Sequence, residues 1–301
     1  MQTSTAAPWH GILVASALPF RDDPSGGLDV DYDAYAAHVQ FLAAEGCDGV
    51  VPNGSLGEYQ TLTAQERGAV VRTAVQAAPP GFRVVPGVSA YGALEARRWA
   101  EDAAQAGCPA VMLLPPNTYR ADEEAVLAHF REVAKVGLPI VAYNNPIDTK
   151  VDLTPALLAR LHGEGLIVAV KEFTGDVRRA YQIAEATPGL DVIAGSDDVA
   201  LELAVAGATG WIAGIPNALP AQCAAMWSAA RAGDLTIALP AYRRLHPLLR
   251  WDSKTEFVQA IKLMMDLAGR YGGPCRPPRL PLAPPQEAEI RAAISAVVGE
   301  V

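Results

Sequence analysis

Eight times along this chain, a short apolar run rich in valine and isoleucine is followed by a longer stretch with helical spacing. "GILVASALPF" precedes "DYDAYAAHVQFLAAEG", "DGVVPNG" precedes "TAQERGAVVRTAVQAA", and "RVVPGVSA" precedes "GALEARRWAEDAAQAG". The series continues through "AVMLLPP", "PIVAYNNP", "LIVAVKEF", "LDVIAGSD" and "TGWIAGIP", each with its own helical partner. The runs are strand-length and apolar throughout, as strands covered on both faces must be, and many helical stretches open on Asp or Thr and close on Gly. "TAQE" at Thr63 is a capping-box pattern. Eight such units over residues 8–232 predict a TIM (β/α)8 barrel. A doubly wound sheet would alternate in the same way but fits less well, because no GxGxxG turn follows a strand. After Gly233 the pattern becomes all-helical, in "IALPAYRRLHPLLRW", "TEFVQAIKLMMDLAG" and "PQEAEIRAAISAVVG". Residues 233–301 are therefore read as a C-terminal helical extension packed on the barrel, with the proline-rich "PCRPPRLPLAPP" as a connector.

Composition narrows the function. Of 301 residues, 50% are hydrophobic and 19% charged, which suits a globular chain with ample core. No apolar run approaches the ~18 residues of a membrane span, and "MQTSTAAPWHG" lacks the regions of a signal peptide. Cys47, Cys108, Cys223 and Cys275 lie far apart and form no CxxC pair, so neither a disulfide framework nor a zinc site is expected. A reduced cytoplasmic enzyme is the economical reading. The formal net charge is -9 and no basic stripe occurs, which argues against nucleic acid and anionic membranes as partners.

In barrels of this kind the chemistry gathers at the C-terminal ends of the strands. The polar residues there are Ser16, Asn53, Ser55, Glu58, Ser89, Asn117, Tyr143, Asn144, Lys171, Ser196, Asp197 and Asn217. Lys171 stands out because it ends the apolar run Leu166 to Val170. An ammonium there is disfavoured by desolvation, so its pKa should fall, and a neutral amine is a nucleophile suited to Schiff-base formation with a carbonyl. The competing reading is a structural lysine paired with a core carboxylate or extended to the barrel mouth. Tyr143 ends the preceding strand, where its phenol can shuttle protons to the amine or simply plug the mouth. In "NGSLGE", residues 53–58, successive backbone N–H groups can form an anion-binding nest, although many barrel loops are glycine-rich for geometric reasons alone.

The GS-x-GE loop, the YN-x-P at strand five and the KE-x-TGD at strand six together resemble the dihydrodipicolinate synthase/N-acetylneuraminate lyase family. "AGSDD" and "GATGWIAGIPNALP" resemble it too, and the likeness runs in order over nearly the whole barrel. The resemblance implies a class I, metal-free lyase that forms a Schiff base with a 2-oxo acid, needs no cofactor and assembles as a homotetramer. Carried over by position, Lys171 is the Schiff-base lysine, Tyr143 the proton shuttle, and Ser55 a hydroxyl that assists. The substrate-binding positions are then Ser55, Leu56, Asp148 and Ile215, with the loop amides at Ser55 and Leu56 holding the carboxylate.

Three departures accompany the likeness. Leu56 stands where the family loop commonly has a second hydroxyl. Asp148 stands two residues after Pro146, where the synthases carry an arginine for the second substrate's carboxylate. In "LPPNTYRA", Tyr119 falls one position from the tyrosine that reaches into a neighbouring subunit. The Schiff-base half of the site is present and the second-substrate half is not. The expected activity is thus aldol cleavage, or dehydration and deamination, of a hydroxylated 2-oxo acid or a cyclic imine such as 4-hydroxy-pyrroline-2-carboxylate. Dihydrodipicolinate synthase proper and a non-catalytic acid-binding barrel are the alternatives. A metal-dependent aldolase would need His, Asp or Glu converging at strand ends, but the five histidines fall on helices, helix ends or the N-terminus. Asp197 and Asp198 remain open as a magnesium pair or as helix caps. The carboxylates of "GSDD" would repel a sugar phosphate.

Overall fold

The computed structural model describes residues 6–24 and 26–299. Eight strands alternate with helices: β1 (Gly11–Ala15), β2 (Gly49–Val51), β3 (Arg83–Val84), β4 (Val111–Leu113), β5 (Ile140–Asn144), β6 (Ala169–Glu172), β7 (Asp191–Ala194) and β8 (Gly210–Ala213). All pair in parallel, in the order β3-β2-β1-β8-β7-β6-β5-β4. Just past β3, Gly87 bridges Met112 of β4, with Val88 N donating to Met112 O and Met112 N to Pro86 O, both at 2.9 Å. That bridge closes the ring, and the eight predicted runs are the eight staves of a TIM barrel. The strands are buried almost throughout because helices cover them outside and side chains fill the centre.

Local chemistry starts the helices. Asp31, Thr63, Asp122 and Thr154 each accept a backbone N–H of the first turn of the helix that follows, and Thr63 and Glu66 form the reciprocal capping box. Besides three short 3-10 turns, the sequence reading lacked an antiparallel hairpin, Phe20–Asp22 with Leu28–Val30, and a single helical turn, Pro146–Thr149. Among the described residues, no helix is long and apolar enough to cross a membrane.

Three further helices, Leu235–Leu249, Phe257–Leu267 and Pro284–Val298, make the extension. The first packs on the last barrel helix, Pro220–Arg231, and the second on the turn after β8. Their firmest tie runs to the loop after β2. Lys262 and Glu58, both almost fully buried, pair at 2.7 Å, and Lys262 Nζ also donates to Pro274 O. The other oxygen of Glu58 accepts from Arg276 N at 2.9 Å. Glu58, the last residue of the "NGSLGE" loop, is thereby a clamp between barrel and extension. Removing one member of a buried pair leaves the other charge uncompensated, so Lys262→Ala is expected to lower the unfolding free energy by ~3–5 kcal/mol. Denaturant unfolding measures this; a loss below ~1 kcal/mol would show that Glu58 needs no cation there.

Candidate active site

The parallel register of β5 and β6 sets Tyr143 directly beside Lys171. Lys171 is 6% exposed, and its amine lies 4.3 Å from the centre of the Tyr143 ring and 5.7 Å from that of Phe173. Among the described residues, the amine has no hydrogen-bond or ion-pair partner. Burial depresses its pKa below that of an ordinary lysine, and the charges of Asp252 and then Asp197 oppose the shift. The structural reading of a lysine paired within the core therefore does not hold. Gly195 makes room for this side chain: a Cβ there would stand 2.4 Å from Glu172 O and 3.1 Å from Lys171 Cγ.

The amine opens on a cavity of about 340 Å³ at the C-terminal mouth of the barrel. Ser55, Leu56, Tyr143, Asp148 and Lys171 all line it. The N–H groups of Ser55 and Leu56 have no acceptor among the described residues. Their loop is entered and left through left-handed backbone, at Asn53 (φ 57°) and Glu58 (φ 50°). Such conformations in non-glycine residues persist only where the surroundings impose them. Here Asn53 Nδ2 donates to Arg67 O, and Glu58 is held by Lys262 and Arg276.

Tyr143 packs edge-on to Phe173, and burial raises its pKa well above that of free tyrosine. Its hydroxyl accepts from Asn145 Nδ2 at 3.3 Å, and the same amide group donates to Asp148 Oδ2 at 2.8 Å. Asn145 thus turns Asp148 toward the cavity. The helix at Pro155 is capped by Thr154 and takes nothing from Asp148. Asn117 also lines the cavity, with a buried side-chain oxygen that has no partner among the described residues.

Ile215 is not among the lining residues. It is fully buried, and its N–H donates to Asp197 Oδ2 at 2.8 Å; Ile212 and Gly214 form that wall instead. Asp197 also accepts from Trp211 Nε1 at 2.9 Å and Gly214 N at 3.0 Å. Those donors occupy the oxygens that a magnesium ion would require, and Asp198 Oδ1 takes the Ser253 hydroxyl. Among the described residues, no cluster of three or more His, Cys, Asp or Glu is disposed to hold a metal. Several other polar strand-end residues are structural: Ser16 bonds Tyr35, Ser89 accepts Leu114 N, Asn144 bridges Glu172 and Asp152, and Asn217 ties Ala15 to Gly214. Tyr119 is 58% exposed and lies off the cavity.

The sequence reading missed residues that complete the wall: Tyr59, Asn145, Phe173, Asp252, Lys254 and Arg279. Asn145 and Phe173 adjoin the motifs and were within reach. Asp252, Lys254 and Arg279 come from the extension, where no local pattern marks them.

The Dihydrodipicolinate synthetase family model matches residues 8–297. The 4-hydroxy-tetrahydrodipicolinate synthase of Methanothrix thermoacetophila is 34% identical over 286 residues, covering 94% of this chain and 95% of its own. That of Acidiphilium cryptum is 32% identical over 289 residues, covering 95% and 98%. Among solved structures, the dihydrodipicolinate synthase from Aquifex aeolicus superposes with a TM-score of 0.89 at 26% identity, covering 95% of this chain and 97% of that one. YagE, a prophage protein of the dihydrodipicolinic acid synthase family from E. coli K12 solved in complex with pyruvate, gives 0.87 at 27%, with the same coverage. With a closed barrel, a strand-end lysine and likeness along almost its entire length, the chain belongs to the dihydrodipicolinate synthetase family of Schiff-base-forming lyases.

Proposed function

We propose that the protein cleaves a hydroxylated 2-oxo acid to pyruvate and an aldehyde, or dehydrates and deaminates its cyclic imine, through a Schiff base on Lys171 and without a metal ion. The observation that carries this reading is one cavity holding an unpaired buried amine, a phenol, two free loop amides and a carboxylate. The amides of Ser55 and Leu56, with the Ser55 hydroxyl, hold the substrate carboxylate. The neutral amine then adds to C2, the carbonyl oxygen takes up a proton, and water leaves to give the iminium. Tyr143 carries the protons for these steps. The iminium draws electrons from C3, so the bond from C3 to hydrogen or to C4 breaks without a Lewis acid.

Asp148 bears on the rest of the substrate. A carboxylate at the mouth repels a second carboxylate and suits hydroxyls or a cationic ring nitrogen such as that of 4-hydroxy-pyrroline-2-carboxylate. A second reading, the synthase condensation of pyruvate with aspartate semialdehyde, draws on Lys254 and Arg279. Both line the mouth, where their charges suit a second carboxylate. The curated relatives carry that name.

A panel of substrates with product identification, run with and without exhaustive chelation, separates the readings. We expect turnover of a hydroxylated 2-oxo acid or its cyclic imine, undiminished by chelator, and negligible condensation with aspartate semialdehyde. Efficient condensation would establish the synthase, and a loss restored by a divalent ion would return metal chemistry. On the same footing stand a cytoplasmic location, a structural boundary near residue 233 and a homotetramer. The exposed apolar side chains of Tyr181, Val205, Leu235 and Ile237 support assembly.

A further inference from the structure

Asp252 belongs to no barrel strand. It sits in the turn between helices Leu235–Leu249 and Phe257–Leu267, at the edge of the extension, yet it is 9% exposed and lines the same cavity as Lys171. Its Oδ2 accepts Asp197 N at 3.4 Å, a long bond. Oδ1 stands 2.7 Å from where a Cβ on Gly214 would be, so this place in the wall accommodates the carboxylate only because residue 214 is glycine. Asp197, the neighbouring carboxylate, is taken up by three N–H donors, whereas no donor holds Oδ1 of Asp252 among the described residues.

We propose that Asp252 is a positioning residue that stands as the counter-charge to the iminium formed on Lys171; this rests on the Schiff-base reading. When water leaves the carbinolamine, the nitrogen keeps one proton and a full positive charge. That cation lies where Lys171 already lacks an ion partner within 4 Å, and a buried cation without a counter-charge is strongly disfavoured. In the proposed function the substrate carboxylate is engaged at the loop of Ser55 and Leu56, and Asp148 is held by Asn145, which leaves Asp252 as the wall carboxylate with an oxygen that no donor holds among the described residues. Asp252 exerts the largest charge effect on Lys171, ahead of Asp197, and Lys171 in turn lowers Asp252, whose pKa burial pushes up to about 6. Lys171, Tyr143, Asp197 and Asp198 are the other ionisable groups coupled to Asp252, and Lys254 adjoins it in the chain.

The sign of the effect is defined. A carboxylate favours the ammonium form and raises the pKa of Lys171, so Asp252→Asn lowers it and makes the neutral amine available at lower pH. The test is borohydride trapping of pyruvate on the Lys171 peptide as a function of pH. In Asp252→Asn the acidic limb of the trapping rate should move down by about one unit, and the fraction trapped at saturating pyruvate should fall several-fold. Asp252→Glu, which keeps the charge, should restore the wild-type limb. A lost fold or a loosened pocket would change amplitude without moving that limb. If the wild type traps on Lys171 and the limb stays fixed in Asp252→Asn, the inference is overturned while the lyase reading survives. Absence of trapping in the wild type with any 2-oxo acid overturns both. Should neither variant fold, the wild-type limb decides: two ionisations are expected, and a single one overturns the inference.

Discussion

Lys171→Ala is expected to fold and to lose turnover by at least about a thousand-fold, because no other amine in the described cavity lies buried without a partner. Borohydride with pyruvate or an active substrate should mark the peptide containing Lys171 in the wild type and nothing in the variant. Stability should not suffer. Burial depresses the folded-state pKa of this lysine, so the unfolded chain binds the extra proton below the ordinary lysine range. Stability therefore falls as pH drops through that window, and removing the side chain relieves the effect. A melting temperature well below wild type at neutral pH would identify Lys171 as a structural cation. Labelling at another residue would move the nucleophile elsewhere.

Tyr143→Phe is the second large effect. The substitution keeps the edge-on contact with Phe173 and the ring beneath the amine, and it removes only the hydroxyl that Asn145 holds. A phenol acting as acid and base in carbinolamine formation and dehydration is worth about a hundred-fold or more in rate. We expect kcat to fall by that order and adduct formation to slow in parallel, since both pass through the same proton transfers. Near-full kcat in this variant would reduce Tyr143 to an aromatic wall of the cavity.

Much of the arrangement was legible before any coordinates. The barrel follows from strand-length apolar runs alternating with capped helices, signals that act within a few residues and survive in any context. Thr63 and Glu66 illustrate this, since the capping box read from "TAQE" forms as written. The lysine was conspicuous because its burial could be inferred from Leu166 to Val170 before it. Glu58 was less transparent. As a polar residue of a Gly-rich loop it drew attention as a site candidate, yet its partner Lys262 lies far along the chain, and their pairing makes it a clamp.

Taken alone, the sequence determined the barrel, its helical extension, and the placing of Tyr143 and Lys171 at the ends of neighbouring strands. Period, caps and the order of strands and helices along the chain are short-range properties, and they were sufficient for these conclusions. Tertiary structure alone decided which side Asp148 faces, because Asn145 bonds it and the Tyr143 hydroxyl with one amide group. It also decided that Ile215 lies behind the wall, where its N–H serves Asp197. Above all, it brought Asp252 into the cavity of Lys171, a meeting set by how the extension packs on the end of the barrel. No residue type or spacing near either position encodes that packing; it follows from apolar faces and buried pairs that meet only when the chain has closed on itself.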